Sequence, residues 1–146
     1  MLSDTNKTLS RRLFEEVWNK GNLAVLNELI ANDHVNSGPG TLPGLPTGPE
    51  GAKQFVMMYR NAFPDTHFTI DEQIAEADKV VTRWTASGTH KGELVGIPAT
   101  GKSSTVTGIN VDRIVNGKIV ESWGIFDQFG MMQQLGVIPM PEPMRN

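Results

Sequence analysis

The order of helical and strand patterns along the chain predicts an α+β domain, with helices packed on one face of a curved antiparallel sheet. Apolar residues first recur at helical spacing, in three successive segments that end near Pro64. The period then changes to two, which is typical of strands, and one short helical segment follows before Gly136. Helices and strands segregated in this way favour a helical layer lying against a sheet.

Three helices are predicted in the N-terminal part. Ser3 or Asp4 can cap the first helix, and Gly21 ends it. The inward residues of the first two helices are Leu9, Leu13, Phe14, Val17 and Trp18, then Leu23, Leu26, Leu29 and Ile30. The third helix begins at Pro49, because proline suits the first helical position. Its inward residues are Ala52, Phe55, Val56, Tyr59 and Phe63. Between the second and third helices, residues 36–49 are rich in Gly and Pro and are predicted to form a loop.

Four strands and a last helix are predicted from the second half. The strands are one that begins at Thr66, then Val80–Thr89, Ser103–Val115 and Lys118–Phe126. A loop over Gly92–Lys102 carries an apolar knob made of Leu94, Val95 and Ile97. Asp127 is interpreted as the N-cap of the last helix, and a Pro-rich tail over 137–146 is expected to be extended.

The last two strands form a hairpin around Asn116-Gly117, and its register decides which side chains face the helices. A two-residue turn would place Asn110 opposite Trp123. A three-residue loop that includes Val115 would instead place Asn110 opposite Ser122. We favour this second register, because it sorts small and polar residues onto one face. That face holds Gly108, Asn110, Asp112, Ser122 and Gly124, and the other face holds Ile109, Val111, Trp123 and Ile125.

The polar hairpin face predicts a cavity, because small side chains opposite a helical layer leave volume unfilled. Close approach of the helices is one alternative, and filling of the space by Met57, Met58 and Tyr59 is another. The opposite face is too apolar for solvent, so we expect a homodimer through Trp123 and Ile125.

Composition excludes several classes of protein. A chain of 146 residues with 38% hydrophobic and 20% charged residues is typical of one globular domain, expected over residues 1–146. The net charge of -3 argues against a nucleic-acid-binding groove. The chain has no cysteine, which excludes disulfides and thiol nucleophiles. No apolar stretch is long enough to span a membrane or to act as a signal peptide, so we expect a cytoplasmic protein with no membrane partner.

Several segments carry a resemblance to a known family. They are Leu94–Lys102, Arg113–Glu121 and Gln133–Gly136, supported by Phe63-Pro64-Asp65 and Gly88–Gly92. These segments resemble the SnoaL-like polyketide (ester) cyclases of the NTF2-like superfamily, over roughly Leu9 to Gly136. The resemblance implies a cone-shaped NTF2-like (cystatin-like) fold. It also implies ring closure of an aromatic polyketide by intramolecular aldol condensation, without a metal or nucleotide cofactor.

The resemblance also indicates where the family's catalytic residues fall. The aspartate that serves the family as acid/base on the last strand corresponds to Gly124. A pocket glutamine corresponds to Gly108 and a histidine to Asn110, whereas the asparagine after the second helix is kept as Asn36. No side chain at Gly124 can move a proton. The resemblance therefore implies the family's fold with its usual chemistry removed or relocated.

Proton abstraction beside a carbonyl needs a base in a dry pocket and donors for the enolate. The candidate catalytic residues are His34, Asn36, Asn110 and Asp112. His34 and Asn36 follow the second helix at the lip of the expected cavity, and neutral histidine can act as a base near pH 7. The alternatives are a surface position for His34 and a structural pairing of Asp112 with Arg113 or Lys118.

The remaining candidates would bind the substrate. They are Phe55, Tyr59, Trp84, His90, Gly108, Ser122 and Gly124. His90 and Trp84 lie an even number of positions apart, so they are expected on the same face of the strand. The alternative for Trp84 is a role in the hydrophobic core alone. Three separated histidines do not predict a metal site.

Two functions remain open. The first is a cofactor-free cyclase, isomerase or lyase acting on a small hydrophobic carbonyl compound. The second is a non-catalytic binding or carrier protein, whose cavity the two glycines would enlarge.

Overall fold

In a computed structural model of the chain, which describes residues 2–139, the N-terminal helix changes geometry midway. It begins as the α-helix α1 (Leu2–Arg12) and continues as a π-helix over Leu13–Asn19. Gly21, with φ of 71°, ends it in the left-handed region that glycine tolerates. The face of this helix that meets the sheet is polar at first, with Asn6 and Ser10 buried, and apolar over the π-helical segment.

A short 3₁₀ turn (Leu23–Val25) leads into the single turn of helix α2 (Leu26–Leu29). The chain then enters strand β1 (Ile30–Ser37), which the sequence analysis did not predict. β1 pairs in parallel with β5 (Lys118–Phe126), so the prediction of a purely antiparallel sheet is wrong. The Asn, Asp and Ser side chains of this segment have low strand propensity, and pairing with a neighbouring strand outweighs that preference.

The other strands follow the prediction closely. β2 (His67–Glu76), β3 (Lys79–Thr89) and β4 (Ser103–Val115) complete a five-stranded sheet of order β1-β5-β4-β3-β2. Helices α3 (Gly48–Ala62) and α4 (Gln128–Gln134) complete the helical elements of residues 2–139. The Asp127 carboxylate accepts a hydrogen bond from the Gly130 backbone at 2.9 Å, which confirms its predicted role as N-cap.

The hydrophobic core lies between the helical layer and one face of the sheet. Its largest fully buried side chains include Phe14, Leu26, Leu29, Ile30, Leu94, Ile119 and Leu135. Leu94 comes from the loop between β3 and β4. Only part of the predicted apolar knob is therefore buried, because Val95 is 65% exposed.

The hairpin between β4 and β5 has neither of the two registers considered. Val115 pairs with Lys118 across a two-residue turn, in which Asn116 and Gly117 both have positive φ. A bulge at Val120 then shifts the pairing by one more residue, so that Asn110 faces Gly124. The favoured three-residue loop is wrong, but its register differs from the observed one by two residues. A slip of two keeps each side chain on its face, so the predicted sorting of polar and apolar residues holds.

Residues 140–146 of the predicted extended tail lie outside the described residues. Among residues 2–139, the helices are too short and too polar for any of them to cross a membrane.

Candidate active site

A cavity of about 130 Å³ lies between the helices and the polar face of the hairpin. Aromatic side chains supply much of its lining: Phe14, Trp18, Phe55, Tyr59, Phe63, Phe68, Trp84 and Phe126. The alternative of a space filled by methionine is wrong. Met57 is 40% exposed, and neither Met57 nor Met58 belongs to the lining.

The apolar wall is a continuous set of ring contacts. Trp18 meets Phe55 with centroids 6.0 Å apart, Phe55 meets Tyr59 at 5.3 Å, and Tyr59 meets Phe126 at 6.1 Å. On the sheet side, Trp18 contacts Phe68 at 4.8 Å. Burial raises the pKa of Tyr59, so its hydroxyl stays protonated and can donate a hydrogen bond. Such a wall suits a flat apolar ligand that carries an acceptor group.

The opposite wall is polar, and adjacent strands bring its residues together. Strand β1 places Asn36 beside Ser122 of β5, and Ser122 faces Asp112 of β4. Nε2 of His34 lies 2.9 Å from Oγ of Ser122, whose hydroxyl donates to Oδ1 of Asp112 at 2.8 Å. His34, Asn36 and Ser122 line the cavity, and Asp112 lies behind them.

Burial controls the charges of this wall. Asp112 is fully buried, and loss of water raises the pKa of its carboxyl, against the hydrogen bonds from Ser122 and Ser10. Burial also lowers the pKa of His34, although the charges of Asp33 and Glu121 oppose this. The imidazole of His34 is therefore neutral near pH 7, as a base must be.

The alternative pairing of Asp112 with a neighbouring cation is wrong. Arg113 instead forms an exposed ion pair with Glu121 at 3.4 Å. Lys118 donates to the backbone carbonyls of Asn27 and Glu28 at the end of α2. The partners of Asp112 are the hydroxyls of Ser122 and Ser10, with Ser10 at 2.9 Å from Oδ2.

The Asn110 side chain is held in one orientation. Its Oδ1 accepts a hydrogen bond from Nε1 of Trp84 at 2.9 Å. The carboxamide nitrogen has no acceptor among residues 2–139, and Asn110 lines the cavity. An amide donor is therefore available to a ligand carbonyl, and Trp84 combines the two roles considered for it, as core residue and as cavity wall.

The two glycines of the polar face differ in what surrounds them. A Cβ built on Gly108 would lie 2.3 Å from the indole of Trp84, so the room at this position is already occupied. Gly108 thus does not line the cavity, and it does not enlarge it. A Cβ on Gly124 would meet nothing nearer than Oδ1 of Asn110 at 3.4 Å, and Gly124 does line the cavity.

His90 was predicted to bind substrate, but it lies outside the cavity lining. It is fully buried beyond the end of β3, with its ring stacked on Phe63 at 5.4 Å. Nδ1 of His90 accepts a hydrogen bond from the Thr100 backbone at 3.2 Å. The alternation of buried positions continues from Trp84 through Ala86 to His90, but His90 packs against Phe63 and does not reach the cavity. Within residues 2–139 no three His, Cys, Asp or Glu side chains are grouped to hold a metal ion.

His34 also borders a second hollow. This outer hollow, of about 370 Å³, lies under the Gly- and Pro-rich loop over 38–47. It shares His34, Asn36, Ser37, Thr41 and Ala52 with the inner cavity. A base at this junction can reach a group in either space.

Comparison with known proteins adds the family. The model of the SnoaL-like polyketide cyclases matches residues 8–135. The chain belongs to the SnoaL-like polyketide cyclase family. It is 34% identical over 142 residues to aklanonic acid methyl ester cyclase DnrD of Streptomyces peucetius, covering 95% of each chain. It is 32% identical over 121 residues to nogalonic acid methyl ester cyclase of Streptomyces nogalater, covering 82% of this chain and 89% of the other.

Solved structures agree with this family. TsrD from Streptomyces laurentii superposes with a TM-score of 0.83 at 27% identity, covering 92% of this chain and 97% of its own. Wild-type IdmH from Streptomyces antibioticus gives a TM-score of 0.77 at 36% identity, covering 90% and 98%. The predicted NTF2-like α+β fold of SnoaL-like cyclases is confirmed.

Sequence reasoning missed Ser10 as a member of the polar wall. The only signal was its position on α1, four residues after Asn6 and four before Phe14, which puts it on the buried face of the helix. A serine on such a face needs a hydrogen-bond partner, and Asp112 provides one.

Proposed function

We propose that the protein is a cofactor-free cyclase that closes a ring by intramolecular aldol condensation of a small hydrophobic carbonyl compound. The observation that carries this proposal is the setting of His34. Its Nε2 is held by Ser122, while Nδ1 has no partner among residues 2–139. A neutral imidazole with one anchored nitrogen and one free nitrogen is equipped to take a proton from a ligand.

In the proposed reaction, Nδ1 of His34 removes the proton beside a substrate carbonyl. The resulting enolate carbon forms the new C–C bond with a second carbonyl of the same molecule. The alkoxide that results then takes the proton back from His34. Asn110, Asn36 and Tyr59 donate hydrogen bonds to the oxygens on which negative charge develops, and such donors lower the barrier most in a dry site. Atoms and charge balance, and nothing but substrate enters or leaves.

The substrate class follows from the two walls and the family. The aromatic lining suits a planar, largely apolar molecule, and the hollow beside His34 leaves room for a side chain. Two relatives are named as cyclases of aklanonic acid methyl ester and nogalonic acid methyl ester. We infer that this protein accepts an aromatic polyketide ester of similar size.

Turnover of such compounds tests the proposal. Aldol ring closure without loss of water gives an isomer of equal mass, so products are followed by chromatography. A thermal-shift screen of flat ketones, anthraquinone esters and steroids first identifies ligands. A ligand at about 100 times its Kd stabilises the fold by about 2.7 kcal/mol. Cyclisation of a ligand by the purified protein, without added metal, supports the proposal. Binding without conversion of any ligand contradicts it.

Gly124 favours a second candidate function, which is binding or transport of the same ligands without chemistry. By resemblance, Gly124 occupies the position of the family's acid/base aspartate, and it carries no side chain. Restoring it as Gly124→Asp tests this, because a Cβ fits beside Asn110 with ordinary contact. If wild type binds ligands without converting them and Gly124→Asp converts them, the protein is a carrier. If wild type already converts them, the base lies elsewhere.

We also propose a homodimer through the outer sheet face. Trp123 pairs with Val111 and Ile125 with Ile109 across β4 and β5, and Trp123 and Ile125 are each 40% exposed. Trp123→Lys is expected to convert a dimer to a monomer in analytical ultracentrifugation. Phe129→Lys, at an aromatic residue on α4 that is also exposed, is the control and should leave the assembly unchanged. A wild-type monomer contradicts the proposal.

A further inference from the structure

The polar wall contains a chain of hydrogen bonds in which His34 bonds to Ser122, and the hydroxyls of Ser122 and Ser10 both donate to Asp112. The serine lies between the histidine and the carboxylate. In a hydrolytic triad the histidine lies between the other two, so that it can activate the serine. The order found here connects the imidazole with the carboxyl through a hydroxyl, and it does not prepare Ser122 as a nucleophile.

The hydrogen bonds that join His34, Ser122 and Asp112 can be arranged in two ways, which differ in where the hydrogens lie. A serine hydroxyl has one hydrogen and can accept another bond. When Asp112 is ionised, Ser122 donates to it, so His34 must carry its hydrogen on Nε2 and Nδ1 is free as a base. When Asp112 is protonated, it donates to Ser122, which donates to Nε2, and His34 then carries its hydrogen on Nδ1. The two forms differ by one proton, while the imidazole is neutral in both.

We propose that Ser122 and Asp112 form a proton relay behind His34, with Asp112 as the group that stores the proton taken from substrate. As Nδ1 of His34 gains a proton, Nε2 gives its own to Oγ of Ser122. Ser122 gives its hydrogen to Oδ1 of Asp112. Within the relay the bonds to hydrogen at Nε2 and Oγ break, and bonds form at Nδ1, Oγ and Oδ1. The additional bond holds the proton lost from the substrate C–H group, and protonation of the alkoxide reverses the sequence. Asp112 and Ser122 are thus positioning residues that act through His34.

The surroundings favour storage on Asp112 over a charged pair. An imidazolium next to a carboxylate would put two ions in a buried site, where the loss of hydration is large. Transfer along the chain leaves both groups neutral. Burial moves the pKa of His34 down and that of Asp112 up, so the two groups approach each other in proton affinity.

Ser10 and two nearby carboxylates are the groups that act on the relay when Asp112 is ionised. Ser10 donates to Oδ2 of Asp112, so both carboxylate oxygens have donors before a proton arrives. Asp33 on β1 and Glu121 on β5 are the charged groups that act on His34. From β3, Asp112 faces Val80, its paired residue, which brings no charge. Asp112 therefore has an uncharged neighbour on β3, whereas His34 is acted on by the carboxylates of Asp33 and Glu121.

Spectroscopy without substrate tests the relay, and its catalytic use rests on the proposed function. Nitrogen-15 NMR reports which ring nitrogen of His34 carries hydrogen, and infrared absorption reports a protonated carboxyl. In wild type, both signals should change together with pH: loss of the carboxyl band accompanies the switch of hydrogen from Nδ1 to Nε2. Asp112→Asn should abolish the band and the switch. Ser122→Ala should uncouple the two signals, and Ser104→Ala, at another buried serine of the cavity, should leave them coupled.

The result that overturns the relay can be seen in wild type alone. It is a carboxyl that stays ionised while His34 titrates to imidazolium. With an active substrate, Asp112→Asn should lower kcat with little change in KM, by up to about 10⁴-fold, the cost of losing the carboxylate behind a protease histidine. An inactive wild type that still shows the coupled switch would contradict the proposed cyclase and keep the relay. An active enzyme without the coupled switch would support the proposed cyclase and contradict the relay.

Discussion

His34 and His90 are both buried, yet their surroundings differ in what they allow. One ring nitrogen of His34 is held by Ser122, and the imidazole forms part of the cavity wall. His90 is enclosed by Phe63 and Thr100, away from the cavity. Burial of a histidine therefore does not indicate function by itself. What matters is whether a free ring nitrogen meets space that a ligand can enter.

The largest expected effect separates the two histidines by activity. His34→Gln removes the proposed base, so turnover should fall by about 10²- to 10⁴-fold. The melting temperature should change little, because glutamine can still donate to Ser122. His90→Gln should do the opposite, with near-normal turnover and a loss of about 1–3 kcal/mol of stability, as expected when a buried hydrogen bond is broken.

Steady-state kinetics and urea unfolding of the same samples check this pair. Equal losses of turnover in both variants at a temperature where both are folded would show that the two sites are not distinct. His67→Gln, at an exposed position of β2, is the control for changing any histidine.

The two glycines of the polar face, Gly108 and Gly124, also differ in whether they are closely packed or open to the cavity. The expected effects of substituting them are smaller. Gly108→Ala forces a methyl group onto the indole of Trp84, and such overpacking costs about 1–3 kcal/mol. Gly124→Ala meets only ordinary contacts, so its free energy of unfolding should change by less than about 0.5 kcal/mol. Urea titration measures both. Ligand affinity should change in Gly124→Ala, because that methyl group enters the cavity; destabilisation of both variants alike would contradict the comparison.

The smallest expected effect is on the pH dependence of stability, and it has opposite signs at the two ends of the relay. The folded pKa of His34 is lowered, so the unfolded chain binds more protons as pH falls through about 6.5, and folding is weakened there. The folded pKa of Asp112 is raised, so its contribution is fully present below about 3.8 and is lost as pH rises through the folded value.

Denaturant unfolding across this pH range measures the two slopes. Relative to wild type, His34→Gln should lose less stability on acidification. Asp112→Asn should gain less stability than wild type as pH falls, because the amide cannot take up a proton. Parallel curves for wild type and both variants would show that neither group titrates differently on folding.

Much of the fold could be predicted from local patterns. The bounds of β4 and β5, the Asp127 cap and the third helix follow from period, turn residues and capping chemistry, which depend on neighbours in the chain. β1 could not be predicted, because its residues favour strand only when β5 lies alongside. The bulge at Val120 was missed for a similar reason, since no local signal distinguishes it from a regular strand residue.

The candidate site was partly predictable. Asn110 and Asp112 were named from residue type and hairpin face, and His34 from its position after the second helix. Tyr59 and Phe55 were named from the period of their helix. The partners were not predictable, because Ser10 and Asp112 are 102 residues apart in the chain. His90 was assigned to the cavity because it alternates with Trp84. It is buried as that alternation predicts, but only the tertiary structure shows that it packs against Phe63 outside the cavity lining.

By itself, the sequence determined the family, through the segments that resemble the SnoaL-like cyclases. It also determined the faces of the hairpin and the order of the elements other than β1, because these depend on periodicity and turn chemistry, which are local. The tertiary structure alone decided that the space beside Gly108 is occupied by Trp84, whereas Gly124 is open to the cavity, because both glycines have the same local sequence pattern. It also decided the protonation partners of His34, since burial and hydrogen bonding arise only when β1, β4, β5 and α1 meet.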